Sequence, residues 1–237
     1  MVTLLPLNVR GAVTRRRGKI LAGPIDVRLE GMGITIVIGP NGSGKTSLLR
    51  MLHGIARLSE GGIEWACPMD EARKRQAFVF QRPVVLHRSV LANVAFPLRL
   101  RGVARGVARE RAMAWVRRVG LDEMADRPGT DLSGGESQKL AIARALVIEP
   151  DLVFLDEPCA SLDGSAIREI EALLLEAAAS GTRIVMSTHD MGQARRLADE
   201  IWFLHRGRLH ESGPAANFLT DPQTPSARAF LNGDIVE

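Results

Sequence analysis

The chain has 237 residues, 46% of them hydrophobic, and a net charge of +4. That is enough for one α/β domain with a sizeable core, and it excludes a disordered chain. No run approaches ~18 apolar residues and the Met1–Val9 stretch lacks a basic leader, so neither a membrane span nor a secretion signal is expected. Tyrosine is absent and aromatic residues total 4%, which leaves few platforms for stacking on nucleic acid, and no nucleic-acid partner is expected. Arg15-Arg16-Arg17 and the Arg99–Arg118 segment are the local basic concentrations and read as solvated surface. Cys67 and Cys159 lie far apart without metal-ligand spacing and read as reduced packing residues of a cytosolic protein.

In chain order, Leu4–Val9, Ile20–Leu29 and Ile34–Ile38 are predicted strands, the second alternating cleanly at Ile25, Val27 and Leu29. The sheet is expected to begin antiparallel. Ile34–Ile38 is apolar on both faces, as a buried central strand is, and it runs into Gly39-Pro40-Asn41-Gly42-Ser43-Gly44-Lys45-Thr46-Ser47. This stretch fits Gly-x-x-x-x-Gly-Lys-Ser/Thr and opens a predicted helix at Thr46–Leu52. Its glycines free backbone N–H groups to face phosphate oxygens, and the helix N-terminus adds partial positive charge. Lys45 is placed to reach the β- and γ-phosphates, and the Thr46 hydroxyl to ligate Mg²⁺. Nucleotide binding is the first expectation.

Ala77–Phe80 is a further strand, ended by Pro83. A helical middle follows. Ser89 N-caps a helix over Val90–Phe96 before Pro97, and Arg105–Val119 carries Val107, Arg111, Trp115 and Val119 at four-residue spacing as a partly apolar stripe. Leu132-Ser133-Gly134-Gly135-Glu136 opens another helix, Gly134–Ile148, with a small-residue face and a second anion-binding N-terminus. Leu152–Leu155, Arg183–Met186 and Ile201–Leu204 are buried strands separated by helices over Gly164–Ala179 and Met191–Ala198, the spacing of βαβ crossovers. His205-Arg206-Gly207-Arg208 turns the last strand back as a hairpin. Leu152–Leu155 ends in Asp156-Glu157, two carboxylates that a phosphoryl-transfer site needs, Asp156 toward the metal and Glu157 as general base for the attacking water.

The phosphate loop, Leu-Ser-Gly-Gly-Glu, the acidic strand end and a downstream histidine, in this order, resemble the ATP-binding cassette (ABC) ATPases over nearly the whole chain. The resemblance implies an α/β fold of P-loop NTPase (RecA-like) type, its mostly parallel core joined by an N-terminal antiparallel β subdomain and an inserted helical subdomain. Residues 1–81 and 149–237 would form the core and 82–148 the helical part. It implies that Ser133, Gly134, Gly135 and Glu136 contact ATP held by another subunit, so that two cassettes sandwich two ATP molecules. Gln81 matches the glutamine that reaches Mg²⁺ and the attacking water. Ser161-Leu162-Asp163 matches the loop that crosses the dimer interface, with Asp163 coupling the two sites. His189 matches the histidine that contacts the γ-phosphate and positions Glu157.

Two departures stand out. Glu136 replaces a commoner glutamine and should preserve the helix start. No aromatic residue precedes the phosphate loop where the family stacks adenine; one of Arg15, Arg16 and Arg17 is a stacking substitute, and weak base contact with looser selectivity is the alternative. With no fused membrane domain, second cassette or long coiled-coil insertion, the resemblance implies a separate importer subunit on the cytoplasmic side of the membrane. Its partners would be a second cassette, a permease and, indirectly, a solute-binding protein. The segment Val79–Val94 and the tail Pro222–Gly233 look similar to tungstate and related oxyanion uptake ATPases. Amino-acid, phosphate or other small-solute uptake stays open, as does a non-transport cassette remodelling a soluble or nucleic-acid partner.

Overall fold

A computed structural model of the chain describes residues 3–160 and 162–234. It starts antiparallel: β1 (Leu7–Arg16) and β2 (Lys19–Leu29) form a hairpin reversed at Arg17 and Gly18, both at positive φ. The first strand begins three residues later than expected and runs seven residues further, because Ala12, Val13 and Thr14 are buried as well as Leu7 and Val9. β3 (Ile34–Ile38) is buried at every position and leads through the phosphate loop into α1 (Lys45–His53). β4 (Glu60–Trp65) then pairs with β1, completing a three-stranded sheet in the order β2-β1-β4. Sequence pattern did not disclose β4, which carries Gly61 and Gly62 in place of strand-forming residues. Gly61 is required there: at φ 75°, a Cβ would lie 2.2 Å from the Gly11 carbonyl oxygen.

The short α2 (Met69–Lys74) feeds β5 (Gln76–Val79), and the helical excursion α3 (Val90–Leu100), α4 (Arg105–Arg118) and α5 (Gly134–Leu146) separates it from β6 (Leu152–Asp156). Then α6 (Gly164–Ala179) crosses to β7 (Arg183–Ser187), α7 (Met191–Leu197) to β8 (Glu200–His205), and the hairpin strand β9 (Arg208–Pro214) precedes α8 (Ala215–Thr220) and α9 (Pro225–Asn232). The six strands lie in the order β5-β6-β7-β3-β8-β9, parallel except for β9. Residues of β3, β6 and β7 are buried on both faces, and each fully enclosed Ile, Leu or Phe there contributes about 1.5–3 kcal/mol. The consequence for function is topological. The C-terminal ends of β3, β6 and β7 are neighbours, so whatever follows Ile38, Asp156 and Ser187 meets at one edge of the sheet.

The helical middle corrects two expectations. α3 does not stop at Phe96 but passes through Pro97 to Leu100. Proline forfeits the bond to the Asn93 carbonyl, at about 3 kcal/mol, yet Val90, Leu91, Val94 and Leu98 are buried in the cluster shared with α4 and α5, and packing outweighs the loss. The buried stripe of α4 is Ala108, Ala112 and Val116, one position later than Val107, Arg111 and Trp115. Val107 is 49% exposed, and Arg111 pairs with Glu149. Small alanines let α3 and α4 approach closely, so the contact face carries little of the hydrophobicity by which a sequence reveals it.

Candidate active site

The loop after β3 is fixed by glycine. At Gly39 (φ 147°) a Cβ would stand 2.0 Å from the Leu204 carbonyl oxygen, and at Gly44 (φ 103°) 2.6 Å from that of Leu21. Lys45, 6% exposed, folds back onto the loop, its Nζ donating to the Gly39 oxygen at 2.9 Å and the Pro40 oxygen at 3.3 Å. Glu157 Oε1 lies 3.8 Å away. Desolvation holds the Lys45 pKa below its usual value, opposed by the carboxylates of Glu157 and Asp156.

Asp156 ends β6 at 1% exposure. Its Oδ1 accepts from Thr46 Oγ1 and from Ser187 Oγ, each at 2.9 Å, while Oδ2 has no partner among the described residues. The chain then kinks. Glu157 takes φ 45° and its N–H donates to Ser187 Oγ at 3.0 Å, which aims the carboxylate out of the sheet. Glu157 Oε2 accepts from Gln81 Nε2 at 3.1 Å and lies 3.2 Å from His189 Nδ1. A carboxylate at that distance favours the tautomer with the proton on Nδ1, leaving Nε2 as the outward nitrogen. Gln81 is carried by the segment after β5, which Asn93 anchors: its buried side chain bonds the backbone of Leu86, Arg88 and Ser89.

These groups surround a cleft of roughly 710 Å³, lined among others by Asn41–Ser47, Gln81, Glu157 and His189. Nucleotide phosphates and Mg²⁺ fit the residues present. Among the described residues Ser43 Oγ and Asp156 Oδ2 are buried without partners, at about 1–3 kcal/mol each, and Lys45 is a desolvated cation beside carbonyls and the carboxylates of Glu157 and Asp156. A polyanion and a divalent cation would satisfy all three.

Not every expected residue joins this cleft. Ser133–Glu136 lie elsewhere in the chain, where Ser133 and Glu136 close a capping box: Glu136 Oε2 accepts from the Ser133 N–H at 2.7 Å and Ser133 Oγ from the Glu136 N–H at 3.3 Å. The Ser133 backbone bond also holds the Glu136 carboxyl below its ordinary range. Gly135 packs against Leu162, which sets the start of α5 beside the loop leading to Asp163. Asp163 itself N-caps α6, its Oδ1 accepting from Ser165 and Ala166. Ser161 lies outside the described residues. The arginine triplet is not among the residues lining the cleft; Arg15 pairs with Glu60 at 2.7 Å, and Lys19, Ile20 and Leu21 of β2 form that wall instead. Ser187, which ties the two acids together, was missed; a hydroxyl ending a strand beside an acidic one is its only sequence signal. Cys67 is a core residue, and burial pushes the partly buried Cys159 thiol up to about 11.

A phosphate loop on a central parallel strand, with an acidic pair ending a neighbouring strand, defines a P-loop nucleoside triphosphatase. The ABC transporter family model matches residues 23–160. The chain is 41% identical over 181 residues to a tungstate uptake system ATP-binding protein of Peptoclostridium acidaminophilum, covering 76% of this chain and 85% of that one. A phosphate import ATP-binding protein of Thermotoga maritima is 37% identical over 92% of this chain and 93% of its own length. Among solved structures, a dimeric ATP-binding cassette in a post-hydrolysis state with ADP and phosphate superposes with a TM-score of 0.76 at 26% identity, covering 88% of this chain and 98% of that one. The chain belongs to the ABC transporter family, and it is an ATP-hydrolysing subunit of that class. Among the described residues no helix is long and apolar enough to cross a membrane.

Proposed function

We propose that the chain is the ATPase of an importer that moves an oxyanion of the tungstate or molybdate kind. In this reading it works as a pair of cassettes on the cytoplasmic face of a permease that a solute-binding protein supplies. The observation that carries the hydrolytic part is the convergence on Glu157. Its Oε2 is held by Gln81 and His189, while Oε1 lies opposite Lys45 at the mouth of the phosphate loop.

The division of labour follows from the chemistry of each group. ATP and Mg²⁺, when bound, supply the transferable phosphoryl group and the cation that neutralises its charge. Gly39–Gly44 turn backbone N–H groups to the phosphates with Pro40, Asn41 and Ser43 shaping the loop, Lys45 leaves its resting carbonyl contacts to bind phosphate oxygens, and Ser47 continues the helix start. Thr46 and Asp156 hold the cation with Gln81. Glu157 takes the proton of the attacking water, and His189, oriented through Nδ1, presents Nε2 toward the γ-phosphate side. Ser133, Gly134, Gly135 and Glu136 serve the partner cassette's nucleotide, and Asp163 sits at the seam.

Residues 82–148 act as the helical lobe between core segments 1–81 and 149–237. A groove of roughly 410 Å³ between them, lined by Phe78, Phe80, Pro83, Leu100 and Arg144, offers the permease its seat. The tungstate-type cargo is supported by the 41% relative; phosphate is the second reading, supported by the longer alignment to the phosphate import relative.

Glu157→Gln is expected to bind ATP, accumulate as an ATP-bound dimer and turn over roughly 10²-fold more slowly. Normal turnover in that variant would remove Glu157 from the role of base. Mass spectrometry of proteins co-purifying with this variant from native membranes in ATP and Mg²⁺ should find a multi-span permease; soluble partners alone would favour a remodelling cassette. Reconstituted with its permease and binding protein, the wild type should be stimulated by tungstate or molybdate; stimulation by phosphate instead would select the second reading.

A further inference from the structure

Behind the Glu157–His189 contact lies a polar assembly that the roles above do not use. Glu171, on α6, is 5% exposed, and its carboxylate accepts from three donors of α7: Gln193 Nε2 at 3.2 Å, Arg196 Nε at 2.8 Å and Arg196 Nη2 at 2.7 Å. The arginine contact is bidentate, with the two partner nitrogens on one planar fork, so it fixes direction as well as distance. Gln193, 1% exposed, shares the wall of a small cavity with Cys159, two residues beyond Glu157. Its backbone N–H donates to Asp190 Oδ1 at 3.1 Å, closing the start of α7 directly after His189.

The reacting pair is therefore tied to α6 by a chain of contacts: Glu171 to Gln193, whose backbone N–H closes on Asp190, next to His189, and from His189 across to Glu157. α7 also packs on the central core through Ala194 and Leu197, with Met191 partly buried against it. It is seven residues long, far below the length at which a helix persists alone, and its buried apolar side chains are Ala194 and Leu197. A cavity of roughly 150 Å³, walled among others by Glu157, Cys159, Thr188, His189, Asp190 and Gln193, lies between these groups. The His189 side chain is 60% exposed and meets Glu157 Oε2 at 3.2 Å, so its position depends on the backbone that leads into α7.

We infer that Glu171 is a positioning residue for ATP hydrolysis, clamping α7 through Gln193 and Arg196 and so holding His189 in register with Glu157. The clamp rests on the assignment of Glu157 and His189 as the hydrolytic pair. It touches neither the phosphate loop nor the cleft wall, so its loss should slow turnover and leave nucleotide binding alone. A residue that only stabilised the fold would lower the amount of active protein without separating these quantities.

The test is steady-state ATPase of the full-length chain carrying Glu171→Gln or Arg196→Lys, with melting temperature measured on the same samples. Glu171→Gln keeps the shape and the bond to Gln193 but removes the charge that seats the arginine. Arg196→Lys keeps the charge and removes the fork, at a side chain 51% exposed, so it carries the test if the first variant fails to fold. Both should reduce kcat on the order of tenfold with KM within about twofold, as misplacement of a catalytic group does. A folded variant with wild-type kcat would overturn the clamp, and so would a loss of activity that merely tracks the folded fraction. Glu157→Gln, run alongside, separates the two levels. If it turns over normally, the hydrolytic assignment fails; if it is inactive while Glu171→Gln and Arg196→Lys behave as wild type, the clamp alone fails.

Discussion

The most quantitative expectation concerns His53, at the end of α1 on the floor of the groove proposed for the permease. Its ring stands edge-on to Phe78 and Phe154, with centroids 5.5 and 5.8 Å away, and its buried Nδ1 has no partner among the described residues. Burial pushes its pKa down from 6.5 to about 4. The unfolded chain takes up this proton near 6.5, so between pH 6.5 and about 4 the unfolded state binds more protons than the folded one. Stability therefore falls as pH falls through that window. The full loss is about 3 kcal/mol, and about 2 kcal/mol of it has gone by pH ~5, a sizeable share of a typical total of about 5–15 kcal/mol. His53→Leu removes the proton site and keeps an apolar filling. Urea unfolding of both proteins at about pH 7.5 and pH 5 should show the variant gaining about 2 kcal/mol on the wild type at the lower pH. Carboxylates such as Glu136 lose their contribution in both proteins and cancel from the difference. Parallel pH dependence in the two proteins would refute the assignment of a buried neutral imidazole.

Two further outcomes follow from the cleft. Lys45→Ala should weaken ATP binding at least tenfold by equilibrium titration, because the one buried cation of the phosphate loop is gone; unchanged affinity would mean the nucleotide sits elsewhere. Ile20, 40% exposed on the cleft wall, is proposed to take the place of the stacking aromatic. Ile20→Tyr should raise ATP affinity by about 1 kcal/mol, whereas alanine at Arg15, Arg16 or Arg17 should not change it; the reverse pattern would restore the arginines as the base platform.

The sequence made the central sheet legible because its strands are buried on both faces. Ile34–Ile38, Leu152–Leu155, Arg183–Met186 and Ile201–Leu204 needed no tertiary information, and Asp163 and Ala179 bracket α6 where the pattern put it. What stayed hidden had weak local signals or depended on distant partners. Gly61 and Gly62 disguise β4, whose existence rests on pairing with β1. Ala108 and Ala112 disguise the buried face of α4. The arginine triplet sat at the expected distance from the phosphate loop, but the pairing of Arg16 with Lys19 turns the hairpin so that β2, rather than the triplet, faces the cleft. The motif residues were legible one by one, while Ser187, which joins Asp156 to the Glu157 backbone, became visible only when β6 and β7 were side by side.

One chain assembles the phosphate loop, Gln81, the acids and His189, but Ser133–Glu136 do not line that cleft, and Gly135 lies beside Leu162. In the proposed pair of cassettes this separation has a use, since the start of α5 would then serve a nucleotide held by another copy. Asp163 constrains how such a contact is communicated. One of its carboxylate oxygens is committed to the first turn of α6, so a displacement at the seam moves that helix rather than a free side chain. α6 carries Glu171 two turns further on, and Glu171 holds the helix that follows His189. In the proposed pair the seam and the hydrolytic residues would thus be joined through α6 and the Glu171 clamp on α7, a route by which turnover could wait on closure of the pair.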